Sequence, residues 1–118
     1  MGVFDALRMT RAFKRRHLDF LQTREDCDVI VEIGFHQERG TPLTVKQLQL
    51  LGLASAPTLQ RRLRRLRQVG AVVRRKSSAD GRAVELVLSP KLLRTYAKYE
   101  DLIRSLQLQG GDPAVEPV

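Results

Sequence analysis

Tryptophan is absent from this sequence, cysteine occurs once, and acidic residues are outnumbered by basic ones, 13 to 21. A single cysteine, Cys27, forms no intramolecular disulfide, and one cysteine with two histidines does not make a zinc site. No apolar run is long enough to span a bilayer, and basic residues interrupt the N-terminal segment where a secretory signal would be continuously apolar. We therefore expect a cytoplasmic protein that holds no metal or other cofactor.

Features of an enzyme are also missing from the sequence. It has no glycine-rich phosphate loop, and no candidate nucleophile stands near a plausible general base. His17 and His36 have no obvious catalytic partner. The acidic residues Glu25, Asp26 and Asp28 cluster at a helix start, where they complement the helix dipole. We therefore expect a binding protein rather than an enzyme.

The excess of basic residues gives a formal net charge of +8, which indicates a polyanionic partner. Nucleic acid is the polyanion that a basic protein most directly indicates. An anionic membrane surface is the alternative, favoured by the basic, phenylalanine-containing segment 3–21. That segment spaces its apolar residues poorly and has no tryptophan, so the pattern favours nucleic acid over a membrane.

The segment from Ser55 to Gln68 carries the strongest indication of function. It contains five arginines within seven residues, and no acidic residue occurs between Ser55 and Ala79. At helical spacing, a leucine stripe lies opposite a polar, arginine-rich face: Leu59, Leu63 and Leu66 against Pro57, Arg61, Arg64, Arg65 and Gln68. A solvated surface helix usually alternates acids with bases at i,i+4. The pattern therefore favours a helix that enters a DNA groove.

Cap and stop residues divide the chain upstream of this segment into helices. Residues 1–22 predict a basic N-terminal helix. Thr23, which is followed three residues later by an acid, predicts the N-cap of a second helix, and Gly40 predicts its end.

A third helix leads directly to the arginine-rich one. Thr44 and Gln47 predict its capping box, and Gly52 predicts its end. Its predicted buried face consists of Val45, Leu48 and Leu51 (or Leu50). Only a short turn separates Gly52 from Ser55, which caps the arginine-rich helix. Two helices joined by a short glycine-containing turn are typical of a helix-turn-helix.

The remainder of the chain predicts a hairpin and a last helix. Strand-like runs 71–76 and 83–88 flank the turn pair Asp80-Gly81, and Gly70 separates them from the arginine-rich helix. From Ser89 onward the apolar residues form one helical stripe: Leu92, Leu93, Tyr96, Tyr99, Leu102, Ile103 and Leu106. Residues 109–118 predict a disordered tail.

These elements predict a mainly α fold with a small β-hairpin (α+β), in the form of a winged helix-turn-helix with flanking helices. The predicted organisation is an N-terminal helix at 1–22, the winged helix-turn-helix at 23–88 and a C-terminal helix at 89–108.

Three motifs make the region from Leu43 to about Ile103 resemble the MarR (multiple-antibiotic-resistance regulator) family. They are Thr44-Val-Lys-Gln-Leu, Thr58-Leu-Gln-Arg-Arg-Leu-Arg-Arg-Leu, and Asp80-Gly-Arg-Ala-Val-Glu-Leu-Val-Leu-Ser-Pro-Lys91. The last is the most specific, because the family carries an Asp and an Arg near the wing tip before a strand that ends in Leu-Thr/Ser-Pro-Lys. The resemblance implies a winged-helix transcriptional regulator that binds double-stranded DNA. We expect a repressor, but the sequence itself leaves repressor and activator open.

In such a regulator the helix 55–69 would enter the major groove with its N-terminal half nearest the bases. Thr58 and Arg61 are then best placed for base edges, and Arg65 for a base or a phosphate. We expect Arg64 and Gln68 to contact the DNA backbone, as would the helix N-terminus at Ser55 and Pro57. On the same helix, Arg62 lies beside the leucine stripe, which favours a structural ion pair, and Arg67 is expected to be solvated.

The wing, residues 77–82, would supply a second DNA contact. Arg82 beside the turn would reach a minor groove, most strongly a narrow A·T-rich one, with Asp80 orienting it or shaping the turn. Arg75 and its basic neighbours would attract phosphates; equally, they would protect an exposed strand edge from aggregation.

The basic N-terminal helix has two interpretations, which are compatible. It helps to form a homodimer, as the first helix does in the family, or it lays Arg8, Arg11, Arg15 and Arg16 along the DNA backbone. The sequence leaves a small-molecule effector open. It also leaves two other functions open: a winged-helix module that binds protein or RNA, and a protein that coats DNA without sequence preference, as in a nucleoid or a phage.

Overall fold

The computed structural model describes residues 2–77 and 81–109, which form five α-helices and two β-strands. The elements in chain order are α1 (Val3–His17), α2 (Arg24–Glu38), α3 (Val45–Leu50), α4 (Ala56–Gln68), β1 (Val72–Lys76), β2 (Val84–Leu88) and α5 (Pro90–Gln109). The mainly helical class with a β-hairpin is therefore confirmed. Asp80 and the tail from residue 110 onward lie outside the described residues, so the predictions made for them stay predictions.

The chain divides into two compact units. One unit comprises residues 20–92 and contains α2, α3, α4 and the hairpin. The other combines the residues up to 19 with those from 93 onward, and so contains α1 and most of α5. None of the described helices is long and apolar enough to cross a membrane.

Two capping boxes fix the starts of α2 and α3. The hydroxyl of Thr23 accepts a hydrogen bond from the N–H of Asp26 (3.1 Å), while the carboxylate of Asp26 accepts one from the N–H of Thr23 (3.3 Å). Thr44 and Gln47 make the same reciprocal pair at 3.2 and 2.9 Å. Each box satisfies backbone donors that a helix N-terminus leaves unpaired. Both predicted caps are confirmed.

The turn between α3 and α4 depends on a glycine. Gly52 has φ +70°, a left-handed conformation that residues with a Cβ rarely adopt. The chain then reaches Ser55, which caps α4 and accepts a hydrogen bond from the N–H of Thr58. The helix-turn-helix that the sequence predicts is therefore present.

The core of unit 20–92 forms where α4 packs on α2. All three leucines of the predicted stripe are buried, and they lie with buried side chains from α2 and β2: Leu59, Leu63 and Leu66 with Val29, Ile30, Ile33 and Leu86. Burying one such aliphatic side chain is worth about 1.5–3 kcal/mol. The leucine stripe therefore accounts for a large part of the attachment of α4.

The prediction for α3 was partly wrong. Leu48 is fully buried, but Leu50 and Leu51 are 77% and 43% exposed. The helix has only six residues, fewer than two turns, so one apolar position is enough to face the core.

The hairpin is a two-stranded antiparallel sheet in which Val72 pairs with Leu88, Arg75 with Glu85 and Lys76 with Val84. β2 turns Leu86, Val87 and Leu88 into the core, whereas β1 is exposed after its first residue. An isolated bridge from Thr44 to Glu85 ties the base of the hairpin to the start of α3. The wing is therefore anchored through β2.

In the other unit, aromatic side chains of α1 and α5 meet. The rings of Phe13 and Tyr99 lie 5.2 Å apart, and Leu18 and Leu106 are buried. Leu93 is 38% exposed, so the predicted stripe on α5 is not buried along its whole length.

The first helix is shorter than predicted. α1 ends at His17 instead of Gln22. A helix that ran through Gln22 would need the N–H of Gln22 for an i→i−4 hydrogen bond, but this N–H is donated to the carboxylate of Asp26. The end at His17 is marked by its C-cap Leu18, whose φ of −126° and ψ of 31° are not helical.

Candidate nucleic-acid interface

The exposed face of α4 displays the polar residues that the sequence assigned to it. Pro57, Arg61, Arg64 and Gln68 are exposed, and the buried leucines lie on the other side of the helix. No acidic side chain belongs to this helix, and none of the described carboxylates pairs with Arg61 or Arg64. Their guanidinium groups therefore face solvent as uncompensated positive charges.

A chain of hydrogen bonds orders the N-terminal half of this face. The hydroxyl of Ser55 donates to that of Thr58 (3.0 Å), and Nη2 of Arg61 donates to Oγ1 of Thr58 (3.3 Å). Three residues predicted to contact DNA are thus linked on the first turns of α4. This arrangement holds Arg61 over the helix N-terminus, the end expected to lie nearest the bases.

Arg62 forms the ion pair that its position beside the leucines predicted. Its Nε and Nη2 donate to the two carboxylate oxygens of Asp26, each at 2.7 Å. Asp26 is completely buried, and 21% of the Arg62 side chain is exposed. The prediction of a structural ion pair is confirmed; its partner, 36 residues earlier in the chain, was not identified from the sequence.

Arg65 is also engaged within the protein. Its Nη1 donates to the backbone carbonyl of Phe20 at 2.6 Å and lies 3.5 Å from Oδ2 of Asp26. Only 26% of the side chain is exposed. Arg65 was predicted to contact a base or a phosphate, but the structure gives its guanidinium two partners: the carbonyl of Phe20, in the connecting segment, and Asp26, in the first turn of α2. Helical spacing places Arg65 on the polar face with Arg61, so no pattern within this segment of the sequence indicates the contact.

The environment of Asp26 keeps its carboxylate ionised. Burial raises the pKa of Asp26, but the hydrogen bonds and charge of Arg62, together with the N–H groups of Gln22 and Thr23, outweigh burial and leave the pKa below its ordinary value. The same contact raises the pKa of Arg62. Two of the five crowded arginines are therefore held from behind by the start of α2, and Arg61, Arg64 and Arg67 remain on the outward side.

On the wing, the basic run of β1 faces solvent as predicted. Arg74, Arg75 and Lys76 are all exposed. Nη2 of Arg75 lies 3.5 Å from Oε2 of its cross-strand neighbour Glu85, with 56% of the Arg75 side chain exposed. Arg82 is exposed after the turn. The DNA-contacting residues predicted on α4 and the wing therefore belong to unit 20–92, whereas the arginines predicted along the DNA backbone on α1 belong to the other unit.

Within residues 2–77 and 81–109, no group of three or more His, Cys, Asp or Glu residues is arranged to hold a metal ion.

The fold is similar to those of solved transcription regulators. A crystal structure of a MepR point mutant from a multidrug-resistant S. aureus clinical isolate matches with a TM-score of 0.66 and 15% identity, over 90% of this chain and 75% of that one. An S. aureus MepR–DNA complex matches with a TM-score of 0.64 and 16% identity, over 88% and 82%. A probable transcriptional regulator from Pseudomonas aeruginosa matches with a TM-score of 0.51 and 22% identity, over 87% and 77%.

This likeness shows the fold, and the winged helix that the sequence predicted is present in the structure. No protein-family model and no curated protein matches the sequence.

Proposed function

We propose that this chain is a sequence-specific, double-stranded-DNA-binding transcriptional regulator, and that it represses by covering its site. The observation that carries the proposal is the uncompensated arginine face of α4, placed as the second helix of a helix-turn-helix. MepR, which shares the fold, has been crystallised with DNA. We propose that the regulator acts in the cytoplasm.

In this proposal α4 lies in the major groove. Arg61 contacts the O6/N7 edge of a guanine through two of its guanidinium nitrogens, a pairing worth about 1–3 kcal/mol of discrimination between bases. Thr58 contacts a neighbouring base edge. Arg64 and Gln68 contact backbone phosphates, as does the N-terminus of α4 at Ser55. Pro57 has no N–H to donate and adds only van der Waals contact there.

The structure leads us to change the role of one predicted contact. Arg65 is tied to Phe20 and Asp26, so we assign it to holding α4 in place instead of to a base. Arg62 has the same role through its bidentate pair with Asp26. Arg62 and Arg65 thus support the helix, while Arg61 and Arg64 contact the DNA.

We further propose that the wing contacts the minor groove. Arg82 enters the groove, where an A·T-rich sequence would narrow it and strengthen its negative potential. Arg75, half-exposed opposite Glu85, contributes to phosphate attraction at the flank.

We propose a homodimer as the DNA-binding form. Val3, Phe4 and Leu7 of α1 are 66%, 77% and 54% exposed, and apolar side chains so exposed gain free energy from a partner surface. A twofold dimer would present two copies of α4 about one helical turn of DNA apart and would require a palindromic site. A monomer mass by light scattering at micromolar concentration would contradict the dimer.

Selection of bound duplexes from a random library, at low and at near-physiological salt, tests the proposal. We expect a palindromic motif that persists at the higher salt. Recovery of no motif, with affinity collapsing as salt rises, would mean phosphate attraction alone and would favour a coating role. Weak, sequence-independent DNA binding together with a tight protein or RNA partner would favour the interaction module.

A further inference from the structure

α1 carries a second arginine surface, separate from α4 in sequence. Arg8, Arg11 and Arg15 are spaced i, i+3 and i+7, which aligns them on one helical stripe. With Ala12 and Arg16 they line a shallow open groove on the helix surface. We refer to Arg8, Arg11 and Arg15 as the α1 arginine stripe.

The stripe faces away from the helix that α1 packs on. Phe13 contacts Tyr99 of α5, and the helical positions of Arg8 and Arg15 lie on the opposite side of α1 from Phe13. All three arginines of the stripe are exposed. Within its unit the stripe is therefore open to a ligand, while Phe4 and Leu7, one turn before Arg8 and Arg11, are the residues proposed for the dimer.

None of the described acidic residues forms an ion pair with the stripe, although Asp5 lines a neighbouring groove together with Arg8. The one carboxylate on α1, that of Asp5, caps the helix by accepting a hydrogen bond from the N–H of Gly2. On α5, in the same unit, Arg104 is paired with Glu100 one turn away. Like charges at i,i+4, such as Arg11 and Arg15, destabilise an isolated helix. In a solvated helix the repulsion between such arginines is not offset, whereas a bound polyanion would offset it.

We propose that the α1 arginine stripe binds backbone phosphates of duplex DNA. Guanidinium groups match phosphate oxygens in a planar, bidentate manner, and such contacts carry no sequence information. The stripe spans about 10 Å of helix. Duplex DNA presents about six negative charges over that distance. The inference rests on the proposed function only in taking duplex DNA as the partner.

The distribution of apolar side chains on α1 argues against a membrane surface as the ligand. A helix lying in a membrane interface needs an apolar face along its whole length. The exposed large apolar residues of α1 are Val3, Phe4, Leu7 and Met9, all in its first half. Its last turn is entirely basic.

The experiment compares two triple variants of equal charge. The test variant carries Arg8→Gln, Arg11→Gln and Arg15→Gln, since glutamine removes the charge and keeps helix propensity. The control carries Arg39→Gln, Arg94→Gln and Lys98→Gln, three exposed positions elsewhere. Circular dichroism and light scattering establish that both variants keep the helix content and the oligomeric state of the natural chain.

Binding to a 40-base-pair duplex of random sequence is then measured by fluorescence anisotropy across a salt series. The slope of log affinity against log salt falls by about 0.9 for each phosphate that the protein no longer neutralises. We expect the slope of the test variant to fall by about 2 to 3 per bound chain, and that of the control by less than one. An equal fall in the two variants, or an unchanged slope in the test variant, would overturn the proposal.

A second titration uses vesicles of phosphatidylcholine with phosphatidylserine. Vesicle binding that the test variant abolishes, with DNA binding unaffected, would overturn the proposal in favour of a membrane. Failure of the proposed function can be told apart from failure of this inference, because a protein that is not a sequence-specific regulator would not discriminate between DNA sequences at all. The α1 variants should weaken binding to every duplex by the same factor.

Discussion

Asp26 and Arg62 form a bidentate ion pair in which the carboxylate is completely buried and both contacts measure 2.7 Å. The pair joins the first turn of α2 to the middle of α4. Asp26 also caps α2, so one carboxylate both starts a helix and holds the neighbouring helix. The orientation of the proposed DNA-reading helix is thereby set by a residue that the DNA does not contact.

The first prediction concerns Asp26→Asn, which keeps the shape of the side chain and removes its charge. We expect a decrease of about 2–3 kcal/mol in the free energy of unfolding at neutral pH, below the cost of breaking a fully buried pair because Arg62 retains access to water. The pKa of Asp26 is lowered in the folded state. The stabilisation is therefore complete above the unfolded value near 4 and is lost as the pH falls through the folded value.

Urea unfolding of the natural chain and the variant at pH 6 and pH 2.5 checks this. The difference in the free energy of unfolding should be full at pH 6 and should shrink at pH 2.5. A difference that stays constant between these two values would show that the charge of Asp26 is not the cause.

The second prediction separates Arg64 from Arg65. Arg65→Ala should lower the free energy of unfolding by about 1.5–3 kcal/mol, because it removes a charged hydrogen bond to the carbonyl of Phe20. Arg64→Ala should leave stability within about 0.5 kcal/mol and reduce the salt slope of DNA binding by about 0.9. Thermal unfolding measures the stability of both variants, and a salt titration measures the salt slope of their DNA binding. If Arg65→Ala lowered the salt slope and left stability unchanged, Arg65 would be a DNA contact after all.

The third prediction is that Arg61→Ala reduces discrimination between DNA sequences. The ratio of affinities for the selected site and for a random duplex should fall about 5- to 150-fold, the equivalent of about 1–3 kcal/mol. Arg67→Ala, on the same helix but off the stripe of Arg61, Arg64 and Gln68, is the matched control and should leave the ratio unchanged. If Arg61→Ala weakened binding to specific and random duplexes equally, its assignment to a base edge would be contradicted.

The fourth prediction is that the effect of Arg82→Ala depends on flanking sequence. Binding should weaken most on sites with A·T-rich flanks, where a narrow minor groove concentrates negative potential. Affinities for two duplexes with the same centre and either A·T-rich or G·C-rich flanks measure this. If Arg82→Ala weakened binding equally on both duplexes, the proposed contact of the wing with the minor groove would be contradicted.

Local signals in the sequence were sufficient for much of the fold. The capping boxes at Thr23 and Thr44, and the stop at Gly52, involve residues three or fewer positions from a helix end, so the sequence reveals them directly. The leucine stripe of α4 was visible because helical periodicity repeats within a few turns.

Contacts between distant segments were not visible in this way. Nothing near Arg62 points to Asp26, which lies 36 residues earlier, and nothing in residues 1–22 shows that the N–H of Gln22 is donated to Asp26 instead of to a helical carbonyl. The lack of acids between residues 55 and 79 correctly indicates an exposed basic face on α4. The same absence of acids overstates how much of the positive charge is uncompensated, because Asp26, which lies outside residues 55–79, neutralises the charge of Arg62.

The link between Arg65 and the carbonyl of Phe20 has a consequence for how unit 20–92 opens. The segment 20–23 is held at one end by Arg65 and at the other by the carboxylate of Asp26, which also holds Arg62. Opening this segment releases Arg62 and Arg65, the two side chains that anchor α4. Segment 20–23 and α4 must therefore open together as one cooperative unit. In hydrogen exchange, the amides of Gln22 and Thr23 should become labelled together with those of α4, even though they lie in a connecting segment.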